Sequence, residues 1–241
     1  MYDLHMHILP GLDDGAADMQ DALEMAETAV LGGTMVCAAT SHGRFAHHDP
    51  DKYLAAYRNR LEEFRLELGR RGIGLQVVSG MELLADDRLL AYARDHVLPG
   101  YGRSRTILIE FDFDVSFRRA EGMLDELQRS KYRVILAHPE RYDFIRQEQH
   151  RARILCRDGV ILQVNSGSIE GRFGRSVFHA ADNILGEGLA GLVASDAHDP
   201  VMRTPDLEET SRILDLSYGS GASEVLLEEN PSRILSGRKI I

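Results

Sequence analysis

The segment DLHMHILPGLDDG, residues 3–15, starts as a short strand and carries a cluster of side chains that commonly bind metals. Side chains along a strand alternate between its two faces, so Asp3, His5 and His7 point in the same direction. His5 and His7 could therefore bind one ion together, while Asp3 orients them from behind. An isolated His-x-His pattern is more often a pair of hydrogen-bonded or solvated histidines, so its interpretation depends on the rest of the chain.

The same order, an apolar run followed by a polar residue, recurs along the chain and alternates with helical patterns. Hydrophobic residues at three- and four-residue steps over 54–68 predict an amphipathic helix, and Gly32 with Gly33 predicts the end of the first helix. Strands that alternate with helices favour a parallel sheet. We predict an α/β barrel rather than an open sheet, in a single domain spanning residues 1–241. The predicted strands comprise residues 2–7, 35–40, 75–81, 106–111, 133–138, 160–165 and 191–196.

Nearly every predicted strand ends at or just before a residue that can bind a metal ion. In a β/α barrel the carboxyl ends of the strands converge on one rim, where the active sites of this fold lie. Residues far apart in the sequence would meet there, and a purely structural role does not explain so many metal-binding strand ends. The pattern therefore predicts a metal site at the rim. The residues concerned are His5, His7, His42, Glu82, Glu110, His138, Asp196 and His198.

The composition is that of a soluble globular protein, with 44% hydrophobic and 27% charged residues among 241. No apolar run approaches the roughly 20 residues of a membrane helix, and the acidic, histidine-bearing start differs from a signal peptide, so we expect a cytoplasmic protein. A formal net charge of -10 argues against binding to nucleic acid or to an anionic membrane. An anionic substrate is still compatible with this charge, because bound metal ions can reverse the sign of a site locally.

The two cysteines, Cys37 and Cys156, lie in predicted strand and helix sequences, and we expect core residues rather than a disulfide. A cysteine-dependent tyrosine phosphatase would need the pattern Cys-x5-Arg, in which loop amides and the arginine surround the phosphate. Six residues after the cysteines stand Gly43 and Leu162, so that mechanism is excluded. The chain also lacks the glycine-rich run ending in Lys-Ser or Lys-Thr that an NTPase would carry.

Other polar and aromatic residues near the predicted rim admit two interpretations. Asp112 and Asp114 are either metal ligands or exposed loop acids, and we favour exposed loop acids. Phe45, Tyr142 and Phe144 either stack on an aromatic leaving group or pack in the core, and we expect packing of at least two of them. We interpret the remaining histidines as surface residues: His47, His48, His96, His150 and His179.

Seven segments in combination resemble the PHP superfamily of phosphoesterases, named for polymerase and histidinol phosphatase. They are DLHMHILPGLDDGA, TSHG, GMEL, LIEF, AHPERYD, VNSGS and ASDAH, and they extend over almost the full chain. Within the superfamily, the first segment and those around AHPERY and ASDAH are most similar to the bacterial protein-tyrosine phosphatases encoded with capsule and exopolysaccharide systems. The resemblance implies the PHP fold, a distorted seven-stranded β/α barrel similar to a TIM barrel, in agreement with the strand pattern.

The resemblance also implies three divalent metal ions, with manganese expected, although iron and zinc suit the same nitrogen and oxygen ligands. Glu82 would bridge two ions. Asp14 rather than Asp13 matches a ligand position, which leaves Asp13 to shape the turn with Gly15. By this resemblance one ion is held by His5, His7, Glu82 and Asp196, a second by Glu82, Glu110 and His138, and the third by Asp14, His42 and His198.

The implied activity is that of a metal-dependent protein-tyrosine phosphatase in which a metal-bridging hydroxide attacks phosphotyrosine. Its expected partner is a tyrosine-phosphorylated protein, such as a tyrosine autokinase of polysaccharide export. Arg141 and Arg203 match positions around the substrate phosphate, where a planar guanidinium can donate two hydrogen bonds. The alternatives for these arginines are ion pairs with Glu140 and Asp206. We expect residues 43–51 to form a mouth loop that influences specificity.

Two other functions are compatible with the same residues. A small-molecule phosphatase, for example one acting on histidinol phosphate, could use the same metal cluster, because the metals do not select the alcohol. A catalytically silent, metal-bound scaffold is the third hypothesis. A silent scaffold, however, has no chemical need to keep nine ligands aimed at one rim.

Overall fold

A computed structural model describes the whole chain, residues 1–241, as parallel strands that alternate with helices. The strands are β1 (Tyr2–Met6), β2 (Val36–Ala39), β3 (His42–Gly43), β4 (Gln76–Ser79), β5 (Glu82–Leu84), β6 (Thr106–Glu110), β7 (Arg133–Ala137), β8 (Ile161–Asn165) and β9 (Ala190–Ala194). All strand pairs are parallel, which is the arrangement that β/α units produce.

The helices connect successive strands and continue beyond the last strand to the C-terminal region. They are α1 (Met19–Leu31), α2 (Pro50–Arg71), α3 (Asp87–Asp95), α4 (Phe117–Arg129), α5 (Asp143–Gln147), α6 (His150–Arg157), α7 (Ser166–Ile169), α8 (Arg175–Gly186), α9 (Glu208–Tyr218), α10 (Ala222–Glu224) and α11 (Asn230–Leu235). A 3₁₀ turn covers Pro139–Arg141 and a π-helical turn covers Val225–Glu229. None of the helices combines the length and apolar character that crossing a membrane requires.

The strands form a distorted barrel whose hydrogen-bond ladder is divided between two sheets. One sheet has the order β1-β2-β4, and the other has the order β3-β5-β6-β7-β8-β9. The segment after β9 also pairs with β1, because Asp196 N donates to His5 O at 2.8 Å and His7 N donates to Ala197 O at 2.9 Å. These bonds bring the last strand of the large sheet beside the first strand of the chain.

All seven predicted strands are present, but the second and third are each interrupted and continue as β3 and β5. The side chain of Thr40 explains the first interruption. Its hydroxyl accepts from Met6 N at 2.8 Å and donates to Met6 O at 3.2 Å, so it replaces a strand neighbour. After the interruption, His42 lies in register with Glu82. The breaks therefore place two predicted metal ligands side by side.

The hydrophobic core lies on both faces of the strands. The larger cluster contains 53 buried residues and includes the apolar stripe of α2, such as Tyr57, Phe64 and Leu68. A separate cluster of nine buried residues includes Leu108 of β6 and Ile135 of β7, whose neighbours within each strand belong to the larger cluster. Because side chains alternate along a strand, the nine residues fill the opposite face. They form the interior of the barrel.

Two local predictions made from glycine and cysteine residues have different outcomes. Helix α1 ends at Leu31 and is capped by Gly32, with Gly33 at a φ of 87°, which confirms the predicted stop. Both cysteines are free thiols, and Cys37 is buried as expected. Cys156 is only partly buried, because it lies at the edge of the hydrophobic core. Its sulfur is 3.4 Å from Leu189 O.

Candidate metal centre

All nine residues predicted as metal ligands meet at the carboxyl ends of the strands. Eight of them, all except His138, offer nitrogen and oxygen atoms that form three groups, and within each group every pair of these atoms lies within 4.8 Å. Eight of the residues are buried or partly buried, whereas the side chain of Asp14 is 65% exposed. The three groups are His7, Asp14, His42 and His198; His5, His7 and Asp196; and His42, Glu82 and Glu110.

The observed groups differ in one respect from the grouping that the resemblance implies. His42 joins Glu82 and Glu110, in the place expected for His138. His138 is nevertheless adjacent, because its Nε2 lies 2.8 Å from Glu82 Oε1. His138 therefore lies beside the cluster without joining any of the three groups, whereas His42 belongs to two of them.

The backbone conformation after two of the strands directs the side chains of His138 and Asp196 towards the cluster. Glu110 is the last residue of β6, whereas His138 and Asp196 follow β7 and β9 directly or after one residue. His138 has a φ of 35° and Asp196 a φ of 52°. This left-handed conformation is unfavourable for residues other than glycine and, when found, is concentrated at functional sites. The strain marks these two positions as functional candidates.

The tautomers of His5 and His7 can be assigned from their partners, and they leave two lone pairs facing one point. His7 Nδ1 lies 2.8 Å from Asp13 Oδ2, so this nitrogen donates to the carboxylate. His5 Nδ1 lies 2.7 Å from Gln163 Oε1 and donates to it in the same way. The two Nε2 atoms are then both acceptors, only 3.3 Å apart. In metal sites, the ring nitrogen that does not bind the ion commonly donates to a neighbouring oxygen, and this hydrogen bond fixes the orientation of the imidazole.

Hydrogen bonds between side chains of β8 hold the His5 ring in this orientation, and the sequence patterns did not predict them. Gln163 Nε2 donates to Asn165 Oδ1 at 2.8 Å, which directs Gln163 Oε1 towards His5. Asn165 Nδ2 in turn donates to Asp196 Oδ2 at 2.6 Å. The available signal was two amides with strand spacing inside the otherwise apolar run VILQVN, residues 160–165. Buried amides in a strand must find partners, and here the partners are predicted ligands.

Of the two additional aspartates of the first segment, Asp3 has a role other than the expected one, and Asp13 has a second role besides the expected one. Asp3 does not touch an imidazole ring, and its Oδ1 instead accepts from His5 N at 3.2 Å and from Ser195 N at 3.1 Å. It therefore fixes the backbone of β1 rather than the rings of the histidines. Asp13 shapes the turn by accepting from Gly15 N at 3.1 Å, as expected. In addition, Asp13 orients the ring of His7.

Glu82 lies at the centre of the cluster and carries a polar atom that the protein leaves unsatisfied. Its side chain is 1% exposed and contacts four imidazoles at 2.8–3.2 Å, those of His5, His7, His42 and His138. Glu82 Oε2 lies 3.0 Å from His42 Nδ1 and 3.2 Å from His7 Nε2, yet neither contact has hydrogen-bond geometry. Because a buried carboxylate oxygen without a partner is costly, its environment fits a bound cation.

The pKa values show how protons are shared in this cluster. Burial opposes ionisation of Glu82, but the surrounding histidines outweigh it and hold its pKa well below the usual range. For His42, burial favours the neutral ring, yet Glu110 and Glu82 raise its pKa to about 9. For His198, burial and the neighbouring His7 lower the pKa to about 3. Protons and metal ions compete for the same lone pairs, so the donor set fits divalent ions.

Two guanidinium groups converge on one oxygen of the cluster. Arg203 Nη2 donates to Asp196 Oδ2 at 2.6 Å, and Arg141 Nη1 lies 3.6 Å from the same oxygen. The alternative ion pairs with Glu140 and Asp206 are therefore not formed by these arginines. Glu140 is buried and accepts instead from Asn165 N and the hydroxyl of Ser168. Both arginines therefore lie at the same edge of the cluster, beside Asp196.

Comparison with known proteins identifies the family to which this arrangement belongs. The family model described as capsular polysaccharide synthesis, CpsB/CapC, matches residues 1–236. The chain belongs to the CpsB/CapC family. The match covers almost the full chain and includes every residue of the candidate metal centre, which agrees with the resemblance seen in the sequence.

Curated CpsB/CapC relatives are similar to this chain along its length. Tyrosine-protein phosphatase YwqE of Bacillus subtilis is 32% identical over 240 residues, covering 100% of this chain and 93% of the relative. Tyrosine-protein phosphatase CpsB of Streptococcus agalactiae is 26% identical over 248 residues and is covered completely. A putative tyrosine-protein phosphatase CapC of Staphylococcus aureus is 28% identical, covering 82% of this chain and 77% of the relative.

Solved structures agree with the CpsB/CapC assignment and with the barrel fold. The crystal structures of YwqE and of CpsB from Streptococcus pneumoniae are described as unique metal-dependent tyrosine phosphatases. The matching chain is 32% identical, covers 100% of this chain and 96% of its own, and superposes with a TM-score of 0.90. An organophosphorus hydrolase mutant, 15% identical, covers 97% of this chain and 92% of its own with a TM-score of 0.58, and it shares the fold.

The remaining candidates in this CpsB/CapC chain are separated clearly by burial. The aromatic residues Phe45, Tyr142 and Phe144 are all at most 3% exposed, so all three pack in the core and none can stack on a leaving group. Asp112 and Asp114 are exposed acids of the loop after β6, as favoured. The surface interpretation also holds for His47, His48, His96, His150 and His179, all of which are exposed.

Proposed function

We propose that this CpsB/CapC protein is a metal-dependent tyrosine-protein phosphatase. The observation that carries the proposal is the convergence of nine metal-binding side chains on one rim, with Arg141 and Arg203 directed at the same oxygen of Asp196. The names of the relatives, which are tyrosine-protein phosphatases, support the choice of substrate. Guanidinium groups bind phosphate oxygens strongly, and together with a metal cluster they can stabilise the charge of a phosphoryl group during hydrolysis.

We further propose that the rim holds three divalent ions, with manganese as the expected metal and iron or zinc as alternatives. The four carboxylates carry four negative charges against six on three such ions, which leaves a net charge of about +2 to attract a phosphate dianion. The ions would supply charge neutralisation and, by lowering the pKa of water, a nucleophile at neutral pH. The proposed ligands are His5, His7, Asp14, His42, Glu82, Glu110, His138, Asp196 and His198.

The protein supplies binding and orientation, and no side chain is required as a nucleophile. Burial raises the pKa of the Cys37 thiol well above its usual value, and it raises that of Cys156 to about 11. Neither cysteine is therefore a thiolate at neutral pH, which excludes the usual cysteine mechanism. Arg141 and Arg203 bind the phosphate oxygens and stabilise the charge that they carry in the transition state.

The proposed protein substrate is a tyrosine autokinase of capsule or exopolysaccharide synthesis. The family description, capsular polysaccharide synthesis, supports this assignment. The metals alone do not distinguish phosphotyrosine from phosphoserine or from histidinol phosphate. The choice among these substrates is therefore made by residues that contact the alcohol side of the ester.

We expect the metal-loaded protein to release phosphate from a tyrosine-phosphorylated peptide faster than from a serine-phosphorylated peptide or histidinol phosphate. The three esters are supplied at equal concentration with manganese, and phosphate release is measured. Preference for histidinol phosphate would replace the proposed substrate while keeping the metal chemistry. No release from any of the three, with metal shown to be bound, would contradict the phosphatase proposal.

A further inference from the structure

A pocket of about 390 Å³ opens beside Arg203 at the rim of the barrel. Its walls include the ring of Phe173, in the loop after α7, and the side chain of Met202, in the loop after β9. Arg203 forms part of the wall and also donates to Asp196 Oδ2, so the pocket is adjacent to the metal centre. The rest of the lining is mostly polar and consists of Ser166, Gly167, Arg172, Ser195 and Thr204. A pocket that combines an aromatic wall with placed polar groups typically binds small organic groups.

Phe173 also contacts the second candidate phosphate-binding arginine. The Arg141 guanidinium carbon lies 4.8 Å from the centroid of the Phe173 ring and 4.4 Å from that of Phe113. The strand order β6-β7-β8 explains this arrangement, because the loop that bears Arg141 lies between the loops that bear the two rings. The guanidinium therefore rests between two aromatic rings, a favourable cation–π geometry.

The two rings differ in their surroundings. Phe113 is 41% exposed and faces the imidazole of His138, with ring centroids 5.8 Å apart. Phe173 lines the pocket and rests on Gly167, where an added Cβ would come within 2.9 Å of the Phe173 ring. Glycine at 167 therefore permits the position that the Phe173 ring occupies. Both rings can hold Arg141, but only Phe173 forms a wall of the pocket.

We propose that this pocket is the subsite for the phenyl ring of the substrate and that Phe173 determines the preference for aryl over alkyl phosphates. The inference rests on the proposed phosphatase function and assigns the residue that selects the alcohol. A phosphate bound by Arg141 and Arg203 places its ester group next to the pocket that Arg203 lines. A phenyl ring in this pocket packs against Phe173, and its apolar surface is removed from water. A serine side chain is too short to fill the same space.

The test compares an aryl ester with an alkyl ester in matched variants. We expect Phe173→Leu to lower kcat/KM for phenyl phosphate about tenfold more than kcat/KM for ethyl phosphate, as loss of an aromatic contact predicts. Gly167→Ala, which keeps the ring but displaces it, should change the ratio in the same direction. Phe113→Leu should lower both values by the same factor, because it weakens the support of Arg141 and the contact with His138 but leaves the pocket wall unchanged.

A binding measurement separates this inference from catalysis. In metal-loaded protein, calorimetry should show that Phe173→Leu weakens binding of phenylphosphonate but leaves binding of methylphosphonate unchanged. Equal losses for both ligands, or a larger change of ratio in Phe113→Leu than in Phe173→Leu, would overturn the assignment of the pocket. If the wild-type protein hydrolyses and binds none of these compounds, the proposed function itself fails, and this inference fails with it.

Discussion

Replacing His42 or Glu110 by alanine is expected to reduce phosphate release from a phosphotyrosine peptide by about 10³-fold or more, as removal of a main electrostatic contributor predicts. His42 links two parts of the cluster, because its Nδ1 lies 2.8 Å from Glu110 Oε1 and its Nε2 lies 3.2 Å from Asp14 Oδ1. Loss of either residue removes one proposed ligand from the group that His42 forms with Glu82 and Glu110. Phosphate release and bound metal are measured on the same samples.

The positions of these two residues make the experiment interpretable. The side chains of His42 and Glu110 are 11% and 10% exposed, so their truncation at the rim leaves the buried core intact. Circular dichroism should therefore show native secondary structure in both variants. His150→Ala is the matched control, because this histidine is exposed at the first residue of α6 and its ring lies 3.8 Å from Glu148, outside the cluster. Normal turnover in both rim variants would exclude the proposed mechanism.

Arg141→Lys is expected to lower kcat/KM for the phosphotyrosine peptide by about 100-fold, although the positive charge is kept. Lysine cannot donate two parallel hydrogen bonds to neighbouring phosphate oxygens, and its ammonium does not stack flat between Phe113 and Phe173. Steady-state kinetics with the metal-loaded protein measure the effect. Arg141→Ala should be affected at least as strongly.

A surface arginine provides the control for the lysine substitution. Arg94 forms an exposed ion pair with Glu126 at 3.5 Å, and exposed pairs contribute little to stability. Arg94→Lys should therefore retain the wild-type kcat/KM. Wild-type values in both Arg141 variants would show that this guanidinium does not bind the substrate phosphate.

The features that could be predicted from the sequence are those that depend on local periodicity. Each of the seven strands appears as a short apolar run, and the ligands are recognisable because they stand at strand ends that a barrel brings together. The interruption of the second strand could not be predicted, because it arises from a tertiary contact. Thr40 replaces a strand neighbour through its hydroxyl, 34 residues away from Met6 in the chain.

The residues that orient the ligands were harder to predict than the ligands themselves. Asp13 serves the local turn and also accepts from His42 N at 2.8 Å, a contact that joins residues 29 positions apart. Gln163 and Asn165 are recognisable in the sequence as polar residues in an apolar strand, but their partners His5 and Asp196 are brought beside β8 only by the order of the strands. Arg203 pairs with Asp196 rather than Asp206, because the loop after β9 folds back over the site.

The aromatic residues show most clearly that the neighbours of a side chain at the barrel rim cannot all be predicted from the adjacent sequence. Phe45, Tyr142 and Phe144 stand close to predicted ligands in the chain, yet all three are core residues. Phe113 and Phe173 flank Arg141 because neighbouring strands carry their loops to the same place. The expectation that at least two of the first three pack in the core is therefore confirmed, and the order of the strands in the sheet identifies the two rings that flank Arg141.

Removal and replacement of metal tests the central claim most directly. The protein is stripped with a chelator, refilled with manganese, and examined for bound metal by elemental analysis and for phosphate release from a phosphotyrosine peptide. We predict that the stripped protein is inactive, that activity returns with the metal, and that the refilled protein holds three ions per chain. Full activity of the stripped protein, with no metal detected, would contradict metal-dependent hydrolysis at this site.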